Sequence, residues 1–152
     1  MTGVQTCALP IWREPEYVGR CKALAAQGRA SAIYATRPGD GSAREQAASC
    51  QRVLGGAANL CVEYATKRYR SNLINWGVLP LTWEGDFIWE PGQTLRLPGV
   101  RKAIESGAEE ITGFIGDTEL RLGLGRLSDK EREILLAGCL INWYKLRGEE
   151  NA

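Results

Sequence analysis

The stretch that most constrains the fold is an apolar run, Ala32 to Ala35, followed by Gly39-Asp40-Gly41 and then the helical pattern that Ser42-Ala43-Arg44-Glu45 begins. Four apolar residues bounded by turn signals read as a buried strand. The glycines admit backbone conformations that side chains resist, and they leave room for something to approach the main chain. The amides opening the next helix lack internal partners and lie at the positive end of its dipole, where anions bind. A serine hydroxyl and an arginine at that place point to a carboxylate or phosphate as the guest. Ala58 to Val62 and Val78 to Thr82 repeat the strand signal. Helical patterns separate the three runs: Ala43 to Leu54, closed by Gly55-Gly56, and Tyr64 to Trp76, closed by Gly77. The stripe of the second runs Ala65, Tyr69, Leu73 and Trp76, with Lys67, Arg68 and Arg70 mostly off it. Strands alternating with helices on short connections require a parallel sheet.

The flanks differ. Ahead of the first strand, Pro15 to Gln27 carries Tyr17, Val18, Cys21, Leu24 and Ala25 at helical spacing, with Gly28 as its stop. After Trp83 the pattern turns antiparallel. Gln93 to Leu97 and Glu110 to Ile115 are short strands, and Asp117 to Leu122 pairs with the latter across a turn at Gly116-Asp117. Val100 to Ser106 makes about two helical turns between them. A final helix is announced by the capping box Ser128-x-x-Glu131 and carries Ile134, Leu135, Leu140, Ile141 and Trp143. The expectation is an α/β domain with a parallel central sheet and an additional antiparallel sheet.

At 152 residues the chain suits one domain with a real core. A net charge of +1 supplies no field to recruit nucleic acid or an anionic membrane, and no apolar run reaches the length of a bilayer span. The five cysteines, at 7, 21, 50, 61 and 139, form no C-x-x-C pair, so neither a zinc site nor a disulfide framework is expected. Reduced thiols and a cytoplasmic location follow. With no histidine, a serine-histidine triad, a histidine metal site and an imidazole shuttle are all excluded within the chain.

Met1 to Ile11, MTGVQTCALPI, has no clear period and no charge, and its Pro10 stops any helix. It resembles the conceptual translation of a sequencing-adapter oligonucleotide. Residues 1–11 are therefore read as a scar, residues 12–152 as the natural part, and that part as lacking its original beginning.

Several motifs then recur in order: G-D-G-S-A-R-E-Q-A-A, L-G-G, a strand, an S-N-L helix, G-V-L-P-L-T and a final A-G-C-L-I-N. From about Tyr17 to Lys145 they resemble the C-terminal swivel domain of the aconitase superfamily, which includes aconitase, homoaconitase and isopropylmalate isomerase. Within it, the YATKRYRSNLINWG helix is most similar to a "hydratase" group. The resemblance implies a swivelling β/β/α three-layer domain of a hydro-lyase, which removes water from a hydroxy-carboxylate and returns it to the alkene. It implies a [4Fe-4S] cluster held by cluster-bearing domains outside this chain, with none bound here and no metal ligand among these residues. The chain's partners would be those domains and the hydroxy-carboxylate, with neither membrane nor nucleic acid.

By the same resemblance Ser42 matches the catalytic base and Arg44 the carboxylate clamp, within the loop and helix start formed by Gly39, Asp40, Gly41 and Glu45. An alkoxide is useful only where amides and positive charge stabilise it, and an arginine fork matches a carboxylate as lysine does not. The family motif reads G-x-G-S-S-R-E-H-A, so its second, substrate-contacting serine is Ala43 here and its histidine is Gln46. These departures favour an altered substrate.

Blander readings stand beside these. Ser42-x-x-Glu45 is itself a capping-box pattern. The third glycine of a dinucleotide fingerprint and the lysine of a P-loop are absent. Lys67-Arg68-Tyr69-Arg70 reads as a solvated helix face or an interdomain salt-bridge surface, Trp76, Trp83 and Trp143 as core or domain-interface aromatics, and Cys50 and Cys61 as small buried hydrophobes. The alternative function is a non-catalytic relative serving as an anion-binding or RNA-binding module.

Overall fold

The alternation of strand and helix becomes a six-stranded sheet in the computed structural model, which describes residues 15–85 and 92–150. The elements run α1 (Tyr17–Ala26), β1 (Ser31–Ala35), α2 (Arg44–Val53), β2 (Gly56–Cys61), α3 (Lys67–Asn75), β3 (Leu79–Thr82), β4 (Leu95–Arg96), α4 (Val100–Ser106), β5 (Glu110–Ile115), β6 (Thr118–Gly123), α5 (Asp129–Ala137) and α6 (Leu140–Glu150). Residues 1–11 lie outside the described residues.

Strand order is β1-β2-β3-β6-β5-β4. The first three strands are parallel and the last three antiparallel. A single antiparallel pair, Thr82 with Gly123, joins the halves, so the expected additional antiparallel sheet continues the parallel one. Thr82 Oγ1 reinforces the seam by donating to the Gly123 carbonyl at 3.4 Å.

The main core is carried by residues on one face of both halves: Ala58 and Leu60 on β2, Leu81 on β3, Ile111 on β5, Leu120 and Leu122 on β6, and Leu124 beyond it. Tyr34 of β1 and Leu95 of β4 pack against the same cluster although their strands are the two ends of the order. Arg29, just before β1, donates to Thr94 Oγ1, just before β4, at 2.7 Å. The sheet is therefore curled around its core, the result of strand twist accumulating in one hand.

On the parallel half, Ala48 of α2, Tyr69 and Leu73 of α3, and Val78 ahead of β3 form a second buried cluster. A third joins Ile74 of α3, Leu127, Ile134 of α5 and Trp143 of α6. Burying such side chains stabilises by roughly 1.5–3 kcal/mol each, which is what holds the helices on the sheet.

Five expectations are corrected. The strand expected to be buried at Ala32–Ala35 is only half-buried, with Ala32 exposed, because β1 stands at one end of the strand order. The final helix is two: Gly138, at φ 91°, closes α5 in a left-handed turn, and Ile141 on α6 is 72% exposed, not in the core. The helix expected from Tyr64 starts at Lys67, because Thr66 is its N-cap and accepts a hydrogen bond from Tyr69 N–H at 3.2 Å. Cys50 is exposed, whereas Cys61 is fully buried as expected. Arg70 is not simply a solvated charge: it donates to the Leu124 carbonyl at 2.9 Å and pairs with Glu131 at 3.8 Å, tying α3 to α5, while Lys67 and Arg68 remain exposed.

Candidate active site

The loop from Thr36 to Ala43 leaves the carboxyl end of β1 and is fastened to the segment leaving β2. The Thr36 carbonyl accepts from the amides of Val62 and Glu63 at 3.2 and 3.3 Å, and the Pro38 carbonyl from Ala65 at 2.9 Å. The next turn of the loop needs Gly39. Its φ of 96° lies in the left-handed region, and its Cα sits against Tyr69, where a Cβ would come within 2.5 Å of both Cβ and Cγ of that side chain. The Gly39 carbonyl then receives two donors, Arg44 Nε–H at 3.0 Å and the Thr66 hydroxyl at 3.1 Å. One carbonyl oxygen therefore ties the starts of α2 and α3 together.

Ser42 and Ala43 are exposed on this loop, with Asp40 and Glu45 also exposed and Gly41 and Arg44 half-buried. The capping-box reading of Ser42-x-x-Glu45 is not met. The N-cap of α2 is Ala43, at φ −86° and ψ 54°, and no side chain caps this helix. Ser42 stands one residue too early. By contrast Ser128-x-x-Glu131 forms the full reciprocal box at α5. The first amides of α2 are thus left to whatever occupies the space beside Ser42 and Arg44. In open α/β sheets, that space, beyond the carboxyl ends of the parallel strands, is where ligands bind.

The floor beneath the loop is polar and interlocked. Asn59 on β2 is 1% exposed; its Nδ2 donates to Gln51 Oε1 at 3.1 Å and reaches Tyr69 OH at 3.4 Å. Gln51 Nε2 donates to Tyr69 OH at 2.6 Å. Asn59 Oδ1 is buried with no partner among the described residues. Tyr64 OH donates to the Asn59 carbonyl at 2.9 Å and approaches the Leu81 carbonyl at 3.3 Å, bridging β2 and β3. Burial pushes the Tyr64 phenol well above its ordinary value, with Cys61 and Tyr69 adding to the effect and Arg70 opposing it. Burial likewise raises the Cys61 thiol to about 11, with the Tyr64 hydrogen bond opposing and the Glu63 charge adding. Both shifts favour the protonated form, so neither group is primed as a base or a thiolate nucleophile.

Thr66, Gln51 and Asn59 are therefore parts of the site's frame that the sequence pattern did not single out, and Tyr69, expected only on the apolar stripe of its helix, is a fourth. The available signals were a threonine able to cap a helix start and a lone asparagine within an apolar strand. No group of three or more Cys, Asp or Glu that could hold a metal ion occurs among the described residues.

Residues 13–85, which contain the whole loop, both fastened strands and α3, match the family model described as the aconitase C-terminal domain. Over 83 residues, 55% of the chain, the sequence is 37% identical to aconitate hydratase A of Bradyrhizobium diazoefficiens; that stretch is 8% of the relative's length. The fold superposes on the crystal structure of 3-isopropylmalate dehydratase from Methanocaldococcus jannaschii with a TM-score of 0.61 at 30% identity. That likeness covers 79% of this chain and 66% of the other. The glycine loop, the curled mixed sheet and both likenesses agree: this chain belongs to the aconitase superfamily, with the fold of its C-terminal swivel domain.

Proposed function

We propose that the chain is the C-terminal part of an aconitase-like hydro-lyase acting on a hydroxy-carboxylate, with Ser42 as the base and Arg44 as the carboxylate clamp. The observation that carries this reading is the uncapped start of α2: Ser42 is not used as a cap and stands exposed beside Arg44 and the helix's first amides. The relatives' names, aconitate hydratase and isopropylmalate dehydratase, support the reaction class.

In this reading Arg44 binds a substrate carboxylate, which places the neighbouring carbon against Ser42 Oγ. The alkoxide of Ser42 takes the proton from that carbon, the electron pair forms the carbon–carbon double bond, and hydroxide leaves the adjacent carbon. The reverse sequence adds water. An alkoxide needs positive surroundings to form at all, and the α2 amides with the Arg44 guanidinium supply them. Ala43, where the family carries a second serine, removes one hydroxyl from the substrate's reach and favours an altered substrate. The family's [4Fe-4S] cluster does not fit the donors of this chain: Cys61 is buried, Cys50 is exposed on another element, and no group of three or more Cys, Asp or Glu that could hold a metal forms among the described residues. The cluster would belong to other domains of the same enzyme. The same reading takes residues 1–11 as an adapter scar, residues 12–152 as a partial domain, and the enzyme as cytoplasmic; among the described residues no helix is long and apolar enough to cross a membrane.

The test is Ser42→Ala in the full-length enzyme that carries this domain. Loss of a general base lowers turnover by about 10²–10⁴-fold. An active Ser42→Ala enzyme would end the assignment.

A further inference from the structure

We infer that Thr66 is a positioning residue for Arg44, acting through the carbonyl of Gly39 to aim the guanidinium end-on; this rests on the reading of Arg44 as the carboxylate clamp. A guanidinium can meet a carboxylate side-on, through Nε and one terminal nitrogen, or end-on, through its two terminal nitrogens. Here Nε–H is already committed to the Gly39 carbonyl at 3.0 Å. The side-on mode would cost that bond, so the pair of terminal nitrogens faces the ligand.

The direction of the Gly39 carbonyl is in turn held from the other side. The Thr66 hydroxyl donates to it at 3.1 Å while accepting from Tyr69 N–H at 3.2 Å, so one hydroxyl both caps α3 and anchors the loop. Tyr69, on the same helix, closes the space behind Gly39 and is fixed through its own hydroxyl by Gln51 and Asn59. A carbonyl oxygen has two lone pairs, and both are taken. If the Thr66 donor is lost, the peptide at Gly39 is free to turn, and Arg44 Nε loses its fixed acceptor. The Thr66 hydroxyl is engaged by the Gly39 carbonyl and the Tyr69 amide, so its effect is on aim.

Capping and positioning can be separated by choice of substitution. Glycine is nearly as good an N-cap as threonine but has no hydroxyl, so Thr66→Gly removes the donor while largely keeping the helix start. Thr66→Ser keeps both roles. The measurement is solvent exchange of the Arg44 Nε–H proton by NMR on the full 15N-labelled chain, with its signal assigned by its disappearance in Arg44→Lys. In Thr66→Gly, exchange should speed about tenfold as the acceptor loses its direction, and Thr66→Ser should restore slow exchange. The thermal midpoints of both variants, read alongside, should stay close to that of the parent. Unchanged Nε–H exchange in Thr66→Gly would overturn the inference, and so would equal acceleration in Thr66→Ser. Citrate added to the parent protein tests the other reading independently: an Arg44 signal that is protected but does not move with citrate counts against the clamp and leaves the positioning role standing.

Discussion

Tyr69 occupies the space where a side chain on residue 39 would project: a Cβ built on Gly39 would lie 2.5 Å from both Cβ and Cγ of Tyr69. Tyr69 is 2% exposed and held by Gln51 and Asn59, so it has little freedom to yield. The glycine of the loop between β1 and α2 and the core of the parallel half are thus one packing unit.

Gly39→Ala should therefore be expensive. It combines a left-handed φ of 96° with a clash against a fixed ring, and a loss of at least about 2 kcal/mol is expected. Urea unfolding of the variant checks this. Gly41→Ala is the control, because a Cβ there meets nothing within 4 Å and its φ is not in the left-handed region. Equal stability of both variants would mean the Tyr69 contact is not rigid.

The two Ser-x-x-Glu motifs should respond differently to alanine. Ser128 makes the reciprocal cap of α5, so Ser128→Ala should cost about 1 kcal/mol. Ser42 caps nothing, so Ser42→Ala should stay within about 0.5 kcal/mol of the parent. Thermal midpoints on the two variants decide between them. A large loss at Ser42 would revive its capping role.

Thiol reactivity follows burial. Cys50 is exposed and should react with a thiol reagent in the native protein. Cys21 and Cys61 are buried and should react only on unfolding. Mass spectrometry of peptides after brief labelling, with and without denaturant, reads this directly. Rapid native labelling of Cys61 would contradict the packing of β2 against β3.

Alkaline pH should destabilise the fold through Cys61. Burial raises the folded thiol from 9.0 to about 11, so the unfolded chain releases this proton first. The sign is that of a raised pKa: the stability is complete below pH 9 and is lost as pH rises toward 11. Tyr64, raised further, acts in the same direction. Urea midpoints across this range should fall, and Cys61→Ala should fall less steeply from its own lower starting point. Parallel curves would exclude Cys61 as the source.

The purified chain alone should show no hydratase activity. In the proposed division of roles it would supply only the base, Ser42, and the clamp, Arg44, and it forms no metal-binding group among its described residues. Turnover of any hydroxy-acid by the chain without further domains would break the proposed division of labour.

Local signals are legible in this sequence because they depend on neighbours a few positions away. Val100–Ser106 and Glu110–Ile115 have the boundaries that periodicity and turn residues indicate, and Ser128 caps α5 as its pattern requires. The order of short motifs from Gly39 to Leu81 was likewise enough to indicate the superfamily, and with it the fold class. Contacts between distant residues decided the rest. Ser42 and Ser128 share one pattern, yet Ser42 is displaced from the cap because Gly39, fastened by Thr66 and Arg44, determines where α2 begins. Thr66 became the start of α3 because its hydroxyl could serve the helix and the loop at once. Cys50 and Cys61 are chemically identical, but one lies on the outer side of α2 and the other between paired strands. The joining of two half-sheets through Thr82 and Gly123 rests on a strand pair 41 residues apart, and no period within either strand encodes it.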